Sequence, residues 1–251
     1  MKNHIIKLLL FLTVGVSQQD WNIKFMEEYG GSTYSPNSNK PYTGKVFDLY
    51  KSNGNKKVEG YYNDGLRNRK WEWWNEDGKM DSSGTYEDGI KNGEWTGWYE
   101  NGQKKIEETY KDGKEDGLLT SWYENGQKFL ERTYKDGKAD GLLTQWHANG
   151  QKSGEITYKD GKMDGVFHGW YDNGQKKIET TWKDGKEDGL YTSWYDNGQK
   201  KWETTYKDGQ MDGLATVWYY NGQRKEEDTY KDGELISFKC WDEDGNERDC
   251  N

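Results

Sequence analysis

Aliphatic residues are scarce in this chain. Leu, Ile, Val and Phe together number 34 of 251, which excludes an ordinary domain built around a deep aliphatic core. There are only 2 prolines and 2 cysteines. No excess of positive charge exists either: 36 basic residues face 45 acidic ones, for a net charge of −9. The signs alternate along the chain, so there is no basic stripe for nucleic acid and no strong attraction to an anionic lipid surface. Near-balanced charge also argues against a disordered chain. No nucleophile elbow, phosphate loop or zinc-ligand spacing occurs. The sequence therefore predicts no enzyme and no cofactor.

Long apolar runs are missing except at the start. Lys2 and Lys7 precede the run Leu8–Val16, and Gly15-Val16-Ser17 supplies small residues. Nine residues are too few to span ~30 Å of hydrocarbon. Residues 1–17 read as a secretory signal peptide, which predicts a secreted or periplasmic, envelope-associated protein. Residues 18–43 hold both prolines, Pro36 and Pro41, and do not repeat. They read as a cap or linker.

What the chain does have is aromatic mass, with 14 Trp and 19 Tyr, and 32 glycines in strict order. One series of glycines falls at 65, 89, 113, 137, 161, 185, 209 and 233. A second falls at 54, 78, 102, 126, 150, 174, 198 and 222. Each series steps by 24 residues, the mark of a repeat architecture. The first follows Asp and the second mostly Asn, and Asp-Gly and Asn-Gly are hairpin-turn signals. The segments between them are rich in Tyr, Trp and Thr, which favour strands. The expectation is an all-β, elongated, twisted meander of about 18 antiparallel strands, with its repeat array over residues 44–233. Residues 234–251 form a shortened capping hairpin.

Trp recurs four residues before the glycines of the second series from Gly78 onward, as at Trp98, Trp122 and Trp146. An aromatic recurs three before each of the first, as at Tyr110, Tyr134 and Trp182. Equivalent rings should stack as ladders along the array. Cys240 and Cys250 lie five residues either side of Gly245. In an exported hairpin they are expected to form a disulfide.

The unit Tyr110–Gly117, and likewise Trp182–Gly189, resembles the core of the MORN (membrane occupation and recognition nexus) repeat: an aromatic, Gly three later, and Gly four after that. The stretch Trp122–Lys128, Trp-Tyr-Glu-Asn-Gly-Gln-Lys, is similar to the bacterial 24-residue MORN variant, found in proteins often called YwqK-family antitoxins. The resemblance covers residues 44–245. It implies a β-hairpin array that contacts membranes or scaffolds partner proteins, or, by the antitoxin label, one that neutralises a toxin.

The function expected is a non-catalytic protein-binding or scaffold module. End-to-end self-association is also open. The same Trp-Tyr-x-Asn-Gly pattern resembles cell-wall glycan-binding and choline-binding repeats, so the aromatic ladders leave a carbohydrate module as a second reading. An antitoxin or immunity protein is a third. Calcium receives one test: Asp112–Gly117 is similar to the start of an EF-hand, but Lys114 and Tyr123 stand where oxygen ligands are required. Departures from the repeat consensus mark candidate partner-binding positions. They are Phe129, Arg132, His147, Phe167, His168, Tyr191 and Trp202.

Overall fold

A computed structural model describes residues 20–250 of the chain. The signal-peptide segment lies outside the described residues. Twenty-two of the 24 strands join in one sheet. From Gly44–Leu49 to Glu247–Arg248 each strand pairs antiparallel with its sequence neighbours. Three passes are interrupted by one residue, as at Asp116 between Lys114–Glu115 and Gly117–Trp122, where Asp116 N–H bonds the Thr109 carbonyl. Counting each interrupted pass once, and setting aside the N-terminal Trp21–Asn22, leaves the expected 18 passes.

The two glycine series build different turns. In Asp112-Gly113 both residues have positive φ, 50° and 79°, and Lys111 pairs with Lys114. That is the two-residue type I′ hairpin, whose twist suits flanking strands. In the Asn-Gly turns only glycine has positive φ, as at Gly102 (85°), while Gly102 N–H bonds the Tyr99 carbonyl. This is a type I turn closed by a glycine bulge. It leaves Asn101 free for another task. Its carbonyl oxygen accepts from Gln103 N–H, and its amide donates to the Glu124 carbonyl of the next repeat.

Strand pleating gives the sheet two faces, and they differ. One face, the packed face, carries Val46, Val58, Tyr62, Trp71, Trp95, Ala139, Leu143, Ile156 and Ala215, all buried. Its series at the 24-residue step is Trp71, Trp95, Leu119, Leu143, Phe167, Tyr191 and Ala215. Gly60 and Gly84 make room for it, since a Cβ there would lie 2.2 and 2.0 Å from the Trp71 and Trp95 rings. The indole N–H groups of Trp71 and Trp95 donate to the Tyr61 and Thr85 carbonyls. At the N-terminal end, Trp21, Ile23 and Met26 pack on the cluster of Tyr42, Val46, Val58, Tyr62 and Trp71.

The expected ring-on-ring ladders hold only in part. Tyr62, Trp71, Tyr86, Trp95 and Tyr110 do form an edge-to-face chain, with centroids 5.0–6.3 Å apart. The series Trp98, Trp122, Trp146 does not stack. Equivalent residues sit two strands, about 9.6 Å, apart, beyond ring contact. The intervening strand supplies a lysine instead: Lys104 Nζ lies 5.8 Å from the Trp122 ring centre and Lys128 Nζ 5.6 Å from that of Trp146. The small residues Gly97 and Gly169 make space for Ile106 and Ile178.

Cys240 and Cys250 are joined in a disulfide, their Cα atoms 5.4 Å apart. The strand register sets Arg248, not Cys250, directly opposite Cys240.

Candidate functional site

The second face, the open face, is built from rows that repeat with little variation. Along its centre, Thr96, Glu107, Thr120, Glu131, Thr144, Glu155, His168, Glu179, Thr192, Glu203, Thr216 and Glu227 lie opposite one another in unbroken succession. Each glutamate from 107 onward is held by a cation three residues before it. Lys104–Glu107 and Lys128–Glu131 are 2.5 Å apart, Lys176–Glu179 2.7 Å and Arg224–Glu227 2.8 Å. The hydrogen bond from Lys104 holds the Glu107 carboxyl below its ordinary pKa, and Lys176, helped by His168, does the same for Glu179.

Two residues along each strand lies a row of another kind. Leu118, Leu142, Val166, Leu190 and Leu214 stand opposite Thr133, Thr157, Thr181, Thr205 and Thr229. These aliphatic side chains are 51, 49, 43, 53 and 52 % exposed. At two strands per step the row runs for about 40 Å. In the same passes, aliphatic side chains on the packed face, such as Leu119 and Leu143, are half-buried or buried, so within the array this exposure is a property of the face.

The sequence-predicted positions do not form one cluster. Arg132, Phe167, Tyr191 and Trp202 fall on the packed face, half-buried. The Tyr191 ring lies 4.8 Å from that of Trp202, and both touch Tyr206. Arg132 donates to the Tyr134 hydroxyl and lies 5.0 Å from the Tyr158 ring centre. Phe129 and His168 are on the open face. Phe129 takes the place where other repeats put a lysine over a tyrosine, and its ring packs 5.1 Å from Tyr123. His168 bonds Glu179 at 3.1 Å and tilts over Trp170.

His147 belongs to a third structure. In most repeats a tyrosine after the Trp donates to the carbonyl of the next Trp: Tyr123 to Trp146 (2.9 Å), Tyr171 to Trp194 (2.8 Å), Tyr195 to Trp218 (2.8 Å). His147 reaches the Trp170 carbonyl through Nε2 at 3.0 Å. It fills the tyrosine's place in the same ladder.

Among the described residues, four buried side-chain polar atoms lack partners: Arg132 Nε, Thr180 Oγ1, Thr204 Oγ1 and Asp228 Oδ1. All occupy one repeat position on the packed face, where Ile156 stands in another copy. None of the 14 tryptophans is exposed. Among the described residues no group of three or more His, Cys, Asp or Glu is placed to hold a metal ion. The surface depressions are open to solvent; one of about 610 Å³ is lined by Lys79, Asp81, Trp98 and Glu124 among others.

The model of the MORN repeat variant family matches seven consecutive segments, 70–88, 91–112, 115–136, 139–160, 163–184, 187–208 and 211–232. The chain belongs to the MORN repeat variant family. Each matched MORN segment runs from the strand before an Asn-Gly-type turn into the following Asp-Gly turn, so the hairpin geometry is the geometry of the repeat. Repeats of this family are commonly protein- or membrane-binding modules. Among curated proteins, no match to the sequence is found.

The aliphatic row escaped the sequence reading. Its signal was present: an apolar residue right after the second glycine, four beyond that of each Asp-Gly turn, at 118, 142, 166, 190 and 214. A chain poor in aliphatics that places them at a fixed step on a polar face is displaying them.

Proposed function

We propose that this MORN array is an exported, non-enzymatic scaffold that binds a protein partner along its open face. The observation that carries the reading is the row Leu118, Leu142, Val166, Leu190 and Leu214, exposed in line between polar rows. Contiguous apolar surface beyond a few hundred Å² marks interaction sites. The partner this row fits presents apolar side chains about 9–10 Å apart, the spacing of alternate strands. The paired Lys and Glu residues beside it supply a polar rim, as interfaces have. Export rests on the sequence of residues 1–17 alone.

Lipid is a weaker match, because the net charge is −9 and the open-face lysines are paired with glutamates. The glycan reading needs exposed rings, and the tryptophans are buried or half-buried. The experiment is cross-linking of the protein in its native cell, followed by mass spectrometry of the cross-linked peptides. The proposal expects one recurrent protein partner, linked through the open-face lysines 104, 128, 152, 176 and 200. Cross-links confined to the turns or to the packed face would contradict it.

A further inference from the structure

The two ends of the sheet are finished differently. At the N-terminal end, the outer edge of Gly44–Leu49 is covered by Trp21–Asn22, with Trp21 opposite Val46 and Asn22 opposite Phe47. At the C-terminal end, Glu234–Trp241 has an outer partner only at Cys240 and Trp241, which pair with Arg248 and Glu247. The disulfide holds the chain end at Cys240. Among the described residues no strand covers the outer edge of Glu234–Lys239. This edge is also apolar, with Leu235, Ile236 and Phe238 exposed by 50, 62 and 55 %. A terminal repeat facing water is expected to be polar, because an open apolar edge recruits another strand.

The last pass lacks a contact by which several earlier passes seat the next hairpin. In earlier passes an acid accepts the backbone N–H of the next Asp-Gly turn: Asp116 from Asp136 at 3.2 Å, Asp188 from Asp208 at 3.3 Å, Asp212 from Asp232 at 3.4 Å. The last pass, Glu-Leu-Ile-Ser-Phe-Lys over 234–239, has no such acid. The one it carries, Glu234, pairs with Lys231 of its own hairpin in the strand register.

The segment is complementary to its own reverse. We infer that Glu234–Lys239 is a homotypic edge, through which two copies join antiparallel about a two-fold axis near Ile236 and Ser237. In that arrangement Glu234 of each copy faces Lys239 of the other, and Leu235 faces Phe238. Leu235 and Phe238 lie on the same face of the sheet, opposite Tyr230 and Asp228, as direct cross-strand neighbours must. Such a contact is isologous and closes on itself. Because Trp21–Asn22 covers the opposite edge, growth stops at two. Six residues a side bury less than a standard stable interface, so the dimer is weak, with Kd on the order of 10 μM.

The test is sedimentation velocity of the mature, oxidised chain over a concentration series reaching well above that Kd. The expected result is a mass that doubles with concentration and holds in high salt. Ile236→Lys with Phe238→Lys should stay monomeric with unchanged melting. Glu234→Lys alone should weaken the dimer, and adding Lys239→Glu should restore it. A wild-type chain that stays monomeric at every concentration overturns the inference, and so does a double charge swap that fails to restore association.

Discussion

The two faces of this sheet use the same period for opposite ends. On the packed face the 24-residue series runs Trp71, Trp95, Leu119, Leu143, Phe167, Tyr191, Ala215, changing size while Trp71, Trp95, Leu143 and Ala215 stay buried. On the open face the series runs Leu118, Leu142, Val166, Leu190, Leu214, nearly constant and about half exposed throughout. The packed face varies because each side chain must fit its local neighbours, as Gly60 and Gly84 fit Trp71 and Trp95. On the open face Thr120, Thr144, Thr192 and Thr216 are buried in the central row, while the aliphatic row beside them stays exposed. Its constancy is what a surface needs when it must present one apolar group per repeat to something outside the chain. The comparison teaches that one face carries the varied aromatic and aliphatic packing, while the other keeps a constant exposed apolar row, the row on which the proposed binding rests.

The largest effect should come from breaking the packed face at its N-terminal end. Trp71 is fully buried and touches Tyr62, Trp73 and Tyr86. Trp71→Ala is expected to cost about 3–5 kcal/mol, read as a large fall in the denaturant midpoint. A loss under about 1 kcal/mol would mean that this face is not where stability resides.

Next is the ladder that ties repeat to repeat. His147→Ala removes the bond to the Trp170 carbonyl and should cost about 1 kcal/mol. His147→Tyr should restore or exceed the original stability, since tyrosine makes the same bond elsewhere. Calorimetry of both variants tests whether the histidine is a substitute rung.

A gain is expected from the unpartnered hydroxyl of Thr204, which is fully buried. Thr204→Val removes a desolvated polar atom and should stabilise by about 1 kcal/mol. Destabilisation would show that the hydroxyl has a partner in solution.

The smallest effect is on the open face itself. Glu107 and Glu179 have pKa values lowered by their lysine partners. A depressed carboxylate adds stability that is complete above its unfolded value, about 4.3, and lost as pH falls through the folded value. The pairs are largely exposed, so the loss is slight. Melting temperatures should drop a little from pH 6 to pH 3, and Glu179→Gln should flatten that slope.

The sequence made the period, the turns and the count of passes legible, because glycine marks every reversal. Strand alternation alone puts Leu118, Thr120 and Trp122 on one face. The sequence could not reveal which face is buried. The buried series hides its period, since Trp71, Leu119, Phe167 and Ala215 look unrelated until the strands are paired. Nor did it separate the two turn types, because both end in glycine and differ only in whether the preceding residue also takes positive φ. The expected Trp ladder failed for a reason of distance: identical positions lie two strands apart, and Lys104 and Lys128 occupy the gap. The candidate positions were chosen as departures from consensus. In a repeat protein such departures collect where packing varies, and Arg132, Phe167, Tyr191 and Trp202 lie there.

The most direct measurement of the division of labour replaces the exposed row and reads stability and binding together. The variant carrying Leu118→Ser, Leu142→Ser, Leu190→Ser and Leu214→Ser should melt within a few degrees of the wild type, because those side chains are already about half in water. It should lose the partner cross-linked by the wild type in the native cell, with affinity down at least tenfold. A variant that keeps full affinity, or one that unfolds, would contradict the account.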